Sequence, residues 1–154
     1  MALIPLSRGF QAEVDDADLP LVAGLRWWLK PSSHNGQRLY AYTQVSRKNL
    51  FMHRLILGVD DPTVIVDHVD MDGLNNRRTN LRLASVTQNN IHRTMPNKTG
   101  YRGVTRFRKG FRASIYVNGK AIFSPMRLSA EDAAREYDAF ARRYHGDFAV
   151  LNFR

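Results

Sequence analysis

Apolar residues come in short runs broken by turn formers through most of the chain, and recur at helical spacing near its end. Positions 39–45 read as a strand, and 50–56 as a strand running into a helix. Further upstream, Asp18 is placed to cap a short helix, with Pro20 in its first turn and Gly24 near its end. Trp27 and Trp28 are expected to divide between core and surface, and Ser32 to Gly36 to form a loop. In the middle of the chain the pattern predicts a strand at 64–68, a polar loop to Asn80, a strand at 81–84 and a helix over 86–93 with Ser85 as its cap. The segment 94–100 lacks apolar periodicity and reads as a linker. Runs at 101–107, 111–117 and 120–123 follow, the last two separated by Asn118-Gly119, a strong hairpin cue. They predict a three-stranded antiparallel sheet in which Phe111, Ala113, Ile115 and Val117 face inward, leaving Arg112, Ser114 and Tyr116 outward. From Ser129 an acidic first turn opens a helix, and Ala133, Tyr137, Phe140, Ala141 and Tyr144 form the stripe that packs on the sheet. The expected fold class is α+β, with an N-terminal module at 1–94, a linker at 95–99 and a second module at 100–154.

Composition narrows the class. Of 154 residues, 44% are hydrophobic, enough for folded cores, and there is no cysteine, which excludes disulfides and thiolate zinc sites. A zinc site built only from His53, His68 and His92 is a weaker reading than a hard-cation site. The N-terminus lacks a signal peptide's apolar core and no run approaches a membrane span, so the expected compartment is the cytoplasm of a bacterial or phage-infected cell. Charge is uneven: residues 1–94 carry a net +2 and residues 95–154 a net +7, with no acidic residue between Asp72 and Glu131. That distribution predicts a polyanionic partner, with nucleic acid favoured by the interleaved aromatics and turns over an acidic protein or a membrane. No protein partner is evident, and the chain is expected to be a monomer.

The densest chemistry lies at Asp67-His68, followed by Asn80 twelve residues after the histidine and Asn89 twenty-one after it. Taken singly, each is a common structural residue: a hydrogen-bonded pair at a strand end, a turn asparagine, a helix-surface amide. Jointly, with Asn75-Asn76-Arg77-Arg78-Thr79-Asn80-Leu81-Arg82 between them, they resemble the HNH, or ββα-metal, nuclease motif of phage and homing endonucleases over about residues 52–93. The resemblance implies that His68 activates water, Asn80 braces the loop, and Asp67 and Asn89 bind a metal. That family often has Asp where Asn75 stands, so a different hydrogen bond is expected to hold this loop. The chemistry agrees with those roles. Phosphodiester hydrolysis needs an activated water and neutralisation of charge on the phosphoryl and leaving oxygens. Carboxylate and amide oxygens suit a single Mg²⁺ or Mn²⁺, and a neutral imidazole suits proton removal near pH 7. Because neighbours on a regular strand face opposite ways, Asp67 and His68 can share a site only where the strand ends or distorts. The polar run from Asp70 to Gly73 predicts such a break.

Residues 99–153 resemble the APETALA or ethylene-response-factor DNA-binding domain through Gly100-Tyr101-Arg102-Gly103-Val104, Ala133-Ala134-Arg135-Glu136-Tyr137-Asp138 and the stretch from His145 to Phe153. This resemblance implies a three-stranded sheet lying in the major groove with a helix behind it. Phe111 replaces the usual Trp, and Thr105, Phe107, Ser114 and Tyr116 replace charged positions, so the plant target sequence does not carry over. The expected DNA contacts are Arg77, Arg78, Arg82 and Arg93 in the first module, and Arg102, Arg106, Arg108, Lys109, Arg112, Ser114 and Tyr116 in the second. The expected activity is a metal-dependent DNA endonuclease, nicking because a monomer has one centre. The rival classes are a DNA-binding regulator with a degenerate nuclease module, and an RNA-binding or structural phage protein.

Overall fold

Strand alternation and turn chemistry set the elements of the computed structural model, which describes residues 1–32, 38–91 and 98–153. Two units are distinguished, Met1–Val86 and Thr87–Arg154. The architecture is α+β, with several small antiparallel sheets and a long C-terminal helix.

In the first unit, β1 (Ala2–Pro5) pairs with β2 (Gln11–Val14) through a turn in which Arg8 and Gly9 take φ values of 64° and 77°. A short helix α1 (Leu19–Val22) leads to a sheet ordered β3 (Trp28–Pro31), β4 (Leu39–Val45), β5 (Lys48–Phe51). Helix α2 (Met52–Leu57) follows and stops at Gly58, whose φ of 65° gives the left-handed residue that closes many helices. The ribbon of β6 (Ile65–His68) and β7 (Leu81–Ala84) completes the unit, with His68 opposite Leu81 and Asp67 opposite Arg82. Ile4, Leu6, Val14, Trp27, Met52 and Ile56 are buried in a core shared by hairpin, sheet and helix. Trp27 and Trp28 divide as expected: Trp27 is 3% exposed with its indole N–H on the Val22 carbonyl at 2.9 Å, and Trp28 is half-buried. Asp18 departs from expectation. Pro20 does sit in the first turn of α1, but the Asp18 carboxylate makes no cap; it receives the Arg78 guanidinium from 60 residues away, a stronger charge-assisted partner.

The second unit begins in the short helix α3 (Val86–Ile91), whose first residue lies at the division. The expected positions 92–93 of this helix and 95–97 of the linker lie outside the described residues. A sheet ordered β10 (Lys120–Phe123), β9 (Gly110–Val117), β8 (Val104–Phe107) lies against helix α4 (Ala130–His145). Its first strand starts at Val104, not at Tyr101, because the chain turns at Gly103 with a φ of 69°. Asn118 and Gly119 both have positive φ, 50° and 77°, which matches the twist of a tight hairpin. Ser124-Pro125-Met126 interrupts the third strand, and pairing to Phe111 resumes at Arg127. The Ser129 hydroxyl caps α4 by accepting from the Asp132 N–H at 3.0 Å. Ala113 and Ile115 pack on Tyr137 and Ala141, with Phe140 and Tyr144 at the margin. Buried Asp138 accepts from the backbone N–H groups of Asn152 and Phe153 at 2.8 and 2.9 Å, tying down the C-terminal segment.

Candidate active site

β6 ends at His68 and the chain turns at once, with Met71 at a φ of 68°. Strand alternation sends Asp67 and His68 to different sides of the ribbon end. Asp67, 4% exposed, takes the guanidinium of its cross-strand neighbour Arg82 on Oδ2 at 2.9 Å from both Nε and Nη2. His68, 5% exposed, lies in a nest of rings: its centroid is 5.1 Å from His53 and 5.9 Å from Tyr40. The Asn76 amide donates to the Leu74 carbonyl through Nδ2, which leaves its Oδ1 facing His68 Nε2 at 3.5 Å. A carbonyl oxygen only accepts, so this arrangement favours the proton on Nε2 and the lone pair on Nδ1. Burial pushes the His68 pKa below its ordinary value, against the pull of Asn76 and of the Asp70, Asp67 and Asp72 carboxylates. The imidazole is therefore neutral at pH 7.

The loop after His68 is held by a network centred on Asp70. Its Oδ1 accepts from the Asp72 N–H at 2.9 Å and from Asn80 Nδ2 at 2.9 Å, and its Oδ2 accepts from Asn75 Nδ2 at 2.7 Å. Asn80 also donates to the Asn75 carbonyl at 2.8 Å and accepts the Asp70 N–H at 3.1 Å, so one buried amide ties both ends of the loop. Burial alone would raise the Asp70 carboxyl; the N–H of Asp72, the amides of Asn80 and Asn75, and His68 outweigh it and hold it below the usual carboxylate range. Gly73 is required by close approach: a β-carbon there would lie 2.3 Å from the Leu39 carbonyl oxygen and 2.6 Å from the Tyr40 ring.

The N-terminal strands anchor this loop from behind. Glu13 donates its N–H to the Leu74 carbonyl and accepts the Asn76 N–H, both at 2.8 Å. Arg77 lies 3.7 Å from the Glu13 carboxylate and donates to Asn75 at 3.1 Å. Arg78 donates its backbone N–H to Asp15, and its guanidinium reaches Asp18 and the Ile56 carbonyl. Three arginines read from the sequence as phosphate contacts, Arg77, Arg78 and Arg82, thus each hold a carboxylate of their own unit.

Asn89 lies half-buried on α3, in the second unit. Arg93 lies outside the described residues. Among the described residues no group of three His, Asp or Glu side chains converges to hold a metal ion. The donors nominated by the sequence are one carboxylate, Asp67, whose Oδ2 already carries the Arg82 guanidinium, and one amide, Asn89, which belongs to the second unit. On the second unit's sheet, Arg112 is clamped with its guanidinium carbon 4.1 Å from the Phe107 ring centre and 4.0 Å from that of Phe123, and its buried Nε has no partner. Tyr116, farther along the same strand, is 71% exposed, and Arg106, Arg108 and Lys109 are exposed. Arg102 instead donates to the Ile91 carbonyl at 2.7 Å and lies beside Tyr137.

The chain is 31% identical over 152 residues to an uncharacterised HNH endonuclease of Acanthamoeba polyphaga mimivirus, a match spanning 97% of this chain and 79% of that relative. The chain belongs to the HNH endonuclease family. No family model matches it, and no solved structure does. No helix among the described residues is long and apolar enough to cross a membrane.

Two residues that the sequence left without a role join the candidate site: Asp70, whose only signal was the Asp-Met-Asp-Gly turn, and Asn76, whose signal was the doubled asparagine. His53, read from the sequence as a ligand of the weaker zinc site, sits against His68 with its Nδ1 buried and unpartnered. Burial, then the His68 and Arg54 charges, push its pKa down to about 3. Its folded pKa lies below the unfolded value, so the stability it contributes is full above pH 6.5 and is lost as pH falls from 6.5 toward about 3. Urea unfolding of the wild type should lose up to about 1.4 kcal/mol per pH unit in that window from this group. His53→Phe should flatten that slope, and an unchanged slope would show that His53 is not the acid-sensitive group.

Proposed function

We propose that the protein is a divalent-metal-dependent DNA endonuclease that nicks one strand, with His68 as general base. The observation that carries this reading is a buried His68 at the end of a strand, its pKa lowered by burial, beside a loop braced by Asn80; Asp67, its chain neighbour, faces the other way onto Arg82. His68 Nδ1 takes the proton of the water that attacks phosphorus, while the Nε2 proton stays directed at Asn76. The family resemblance assigns Asp67 and Asn89 to a Mg²⁺ or Mn²⁺ ion, which would supply charge neutralisation at the phosphoryl and leaving oxygens. Arg82, already on Asp67, positions that carboxylate. Asn80 braces the loop that follows His68 by tying Asp70 to Asn75. A monomer with one such centre cuts one strand.

The C-terminal sheet, as in the APETALA-type reading, supplies double-stranded DNA binding through its open face. Phe107 and Phe123 flank the Arg112 guanidinium, with Ser114 and Tyr116 along the same strand face. Arg112→Ala is expected to weaken duplex binding and to lower the slope of log affinity against log salt by about 0.9 if the side chain neutralises one phosphate. An unchanged slope in a fluorescence-anisotropy titration would remove Arg112 from the phosphate contacts.

The deciding experiment is nicking of supercoiled plasmid with Mg²⁺, with Mn²⁺ and with EDTA. Metal-dependent conversion to open circles supports the nuclease; none with either metal sinks it. One observation favours a second reading, a DNA-binding regulator with an inert nuclease module: Asp67 is already neutralised by Arg82. That reading predicts duplex binding without any metal-dependent nicking.

A further inference from the structure

We infer that the outer face of the β3–β4–β5 sheet is a binding platform for an unpaired stretch of DNA, leading away from His68. The strand register puts Trp28, Tyr42 and Phe51 in one row across all three strands, and Lys30 opposite Tyr40 in the next row. Period-two alternation places these side chains on one face. The other face gives Leu29 and buried Ala41 to the core, which takes none of the four aromatic rings. Trp28, Tyr40, Tyr42 and Phe51 are all half-buried, an unusual load of ring surface for one open sheet face.

The rings are continuous with the candidate active site. Trp28 to Tyr42 is 6.0 Å between centres, Tyr42 to Phe51 is 6.4 Å, Phe51 to Tyr40 is 6.2 Å and Tyr40 to His68 is 5.9 Å. Cations lie over them: Arg26 is 5.8 Å from the Trp28 ring centre, and Lys30 is 5.4 Å from Tyr42 and 5.2 Å from Phe51. Between Asp18 and Asp60 the sequence has no acidic residue but has Arg26, Lys30, Arg38, Arg47, Lys48 and Arg54. Charge thus selects a polyanion. Ring faces select unpaired bases, because in a duplex the base faces are stacked on one another and only their edges are accessible. The combination of an aromatic row and cations that follow a phosphate backbone is how non-sequence-specific strand binding is built.

This inference rests on the nuclease reading only for its choice of DNA as substrate, and binding tests it without cleavage. The full chain is titrated in EDTA against fluorescein-labelled oligothymidylate of about twelve nucleotides, and against a blunt duplex of equal length. Trp28→Ala and Tyr42→Ala should each weaken oligothymidylate binding about five-fold or more and change duplex binding by less than about two-fold, because the duplex hides its ring faces. Tyr42→Phe, which keeps the ring, should bind like the wild type. Lys30→Ala, which leaves every ring in place, should weaken single-strand binding and lower its salt slope by about 0.7. Unchanged oligothymidylate binding in both alanine variants, or equal losses on single strand and duplex, would overturn the platform. Plasmid nicking by the wild type with Mg²⁺ is read in parallel. Nicking with no effect of the ring variants leaves the nuclease and removes the platform; the reverse result leaves the platform and removes the nuclease.

Discussion

His68→Ala is expected to lower plasmid nicking by about 10²–10⁴-fold, the usual contribution of a positioned general base, while leaving duplex affinity nearly unchanged. The side chain is buried at the end of β6 and its neighbours are rings, so its loss removes a proton acceptor and little surface that meets a polyanion. The sign of the pH dependence follows from its depressed pKa. A base must be unprotonated to act, so the acid limb of the rate should fall below pH 6.5 and vanish in the variant. Single-turnover nicking from pH 5 to pH 8 would measure both. Full cutting by His68→Ala would remove it from the base role, whatever became of the rest of the site.

The second large effect is on stability. Gly103→Ala places a β-carbon 2.0 Å from the Tyr137 ring at a residue whose φ is 69°. Neither problem has an easy escape: Tyr137 is 5% exposed and packed on the sheet, and a non-glycine residue in that conformation is strained. Overpacking costs about 1–3 kcal/mol and the backbone conformation about 1–2 kcal/mol more, so the second unit should lose about 2–5 kcal/mol. Thermal unfolding should show an early transition absent from the wild type, together with weaker duplex binding. An unshifted melting profile would mean that helix α4 gives way without penalty.

Much of this was legible in the residues because local rules governed it. Asn118-Gly119 specified a hairpin by its tolerance of positive φ, Ser129 with Glu131 and Asp132 specified a helix start, and the apolar alternation of β9 specified which face packs on α4. In the candidate site, the spacing from His68 to Asn80 located the loop and its brace. What escaped was long-range. Asp18 looks like a cap from its neighbours, yet Arg78 from another segment takes its carboxylate. Arg77, Arg78 and Arg82 look like free cations in a run of basic residues, and no sequence rule foretells that Glu13, Asp18 and Asp67 lie beside them. Likewise, the aromatic row from Trp28 to Phe51 depends on strand register, which three separated runs do not reveal by themselves.

The dependence of the loop after His68 on Glu13, Asp15 and Asp18 has an implication for fragment work. A polypeptide beginning at Met52 would retain His68, Asn80 and every arginine between them, yet the Asn76 N–H would have lost its acceptor, the Leu74 carbonyl its donor and Arg78 both its acidic partners. Grafting that fragment onto another carrier should therefore deliver the letters of the motif without its shape, and the leading eighteen residues belong in any transplant.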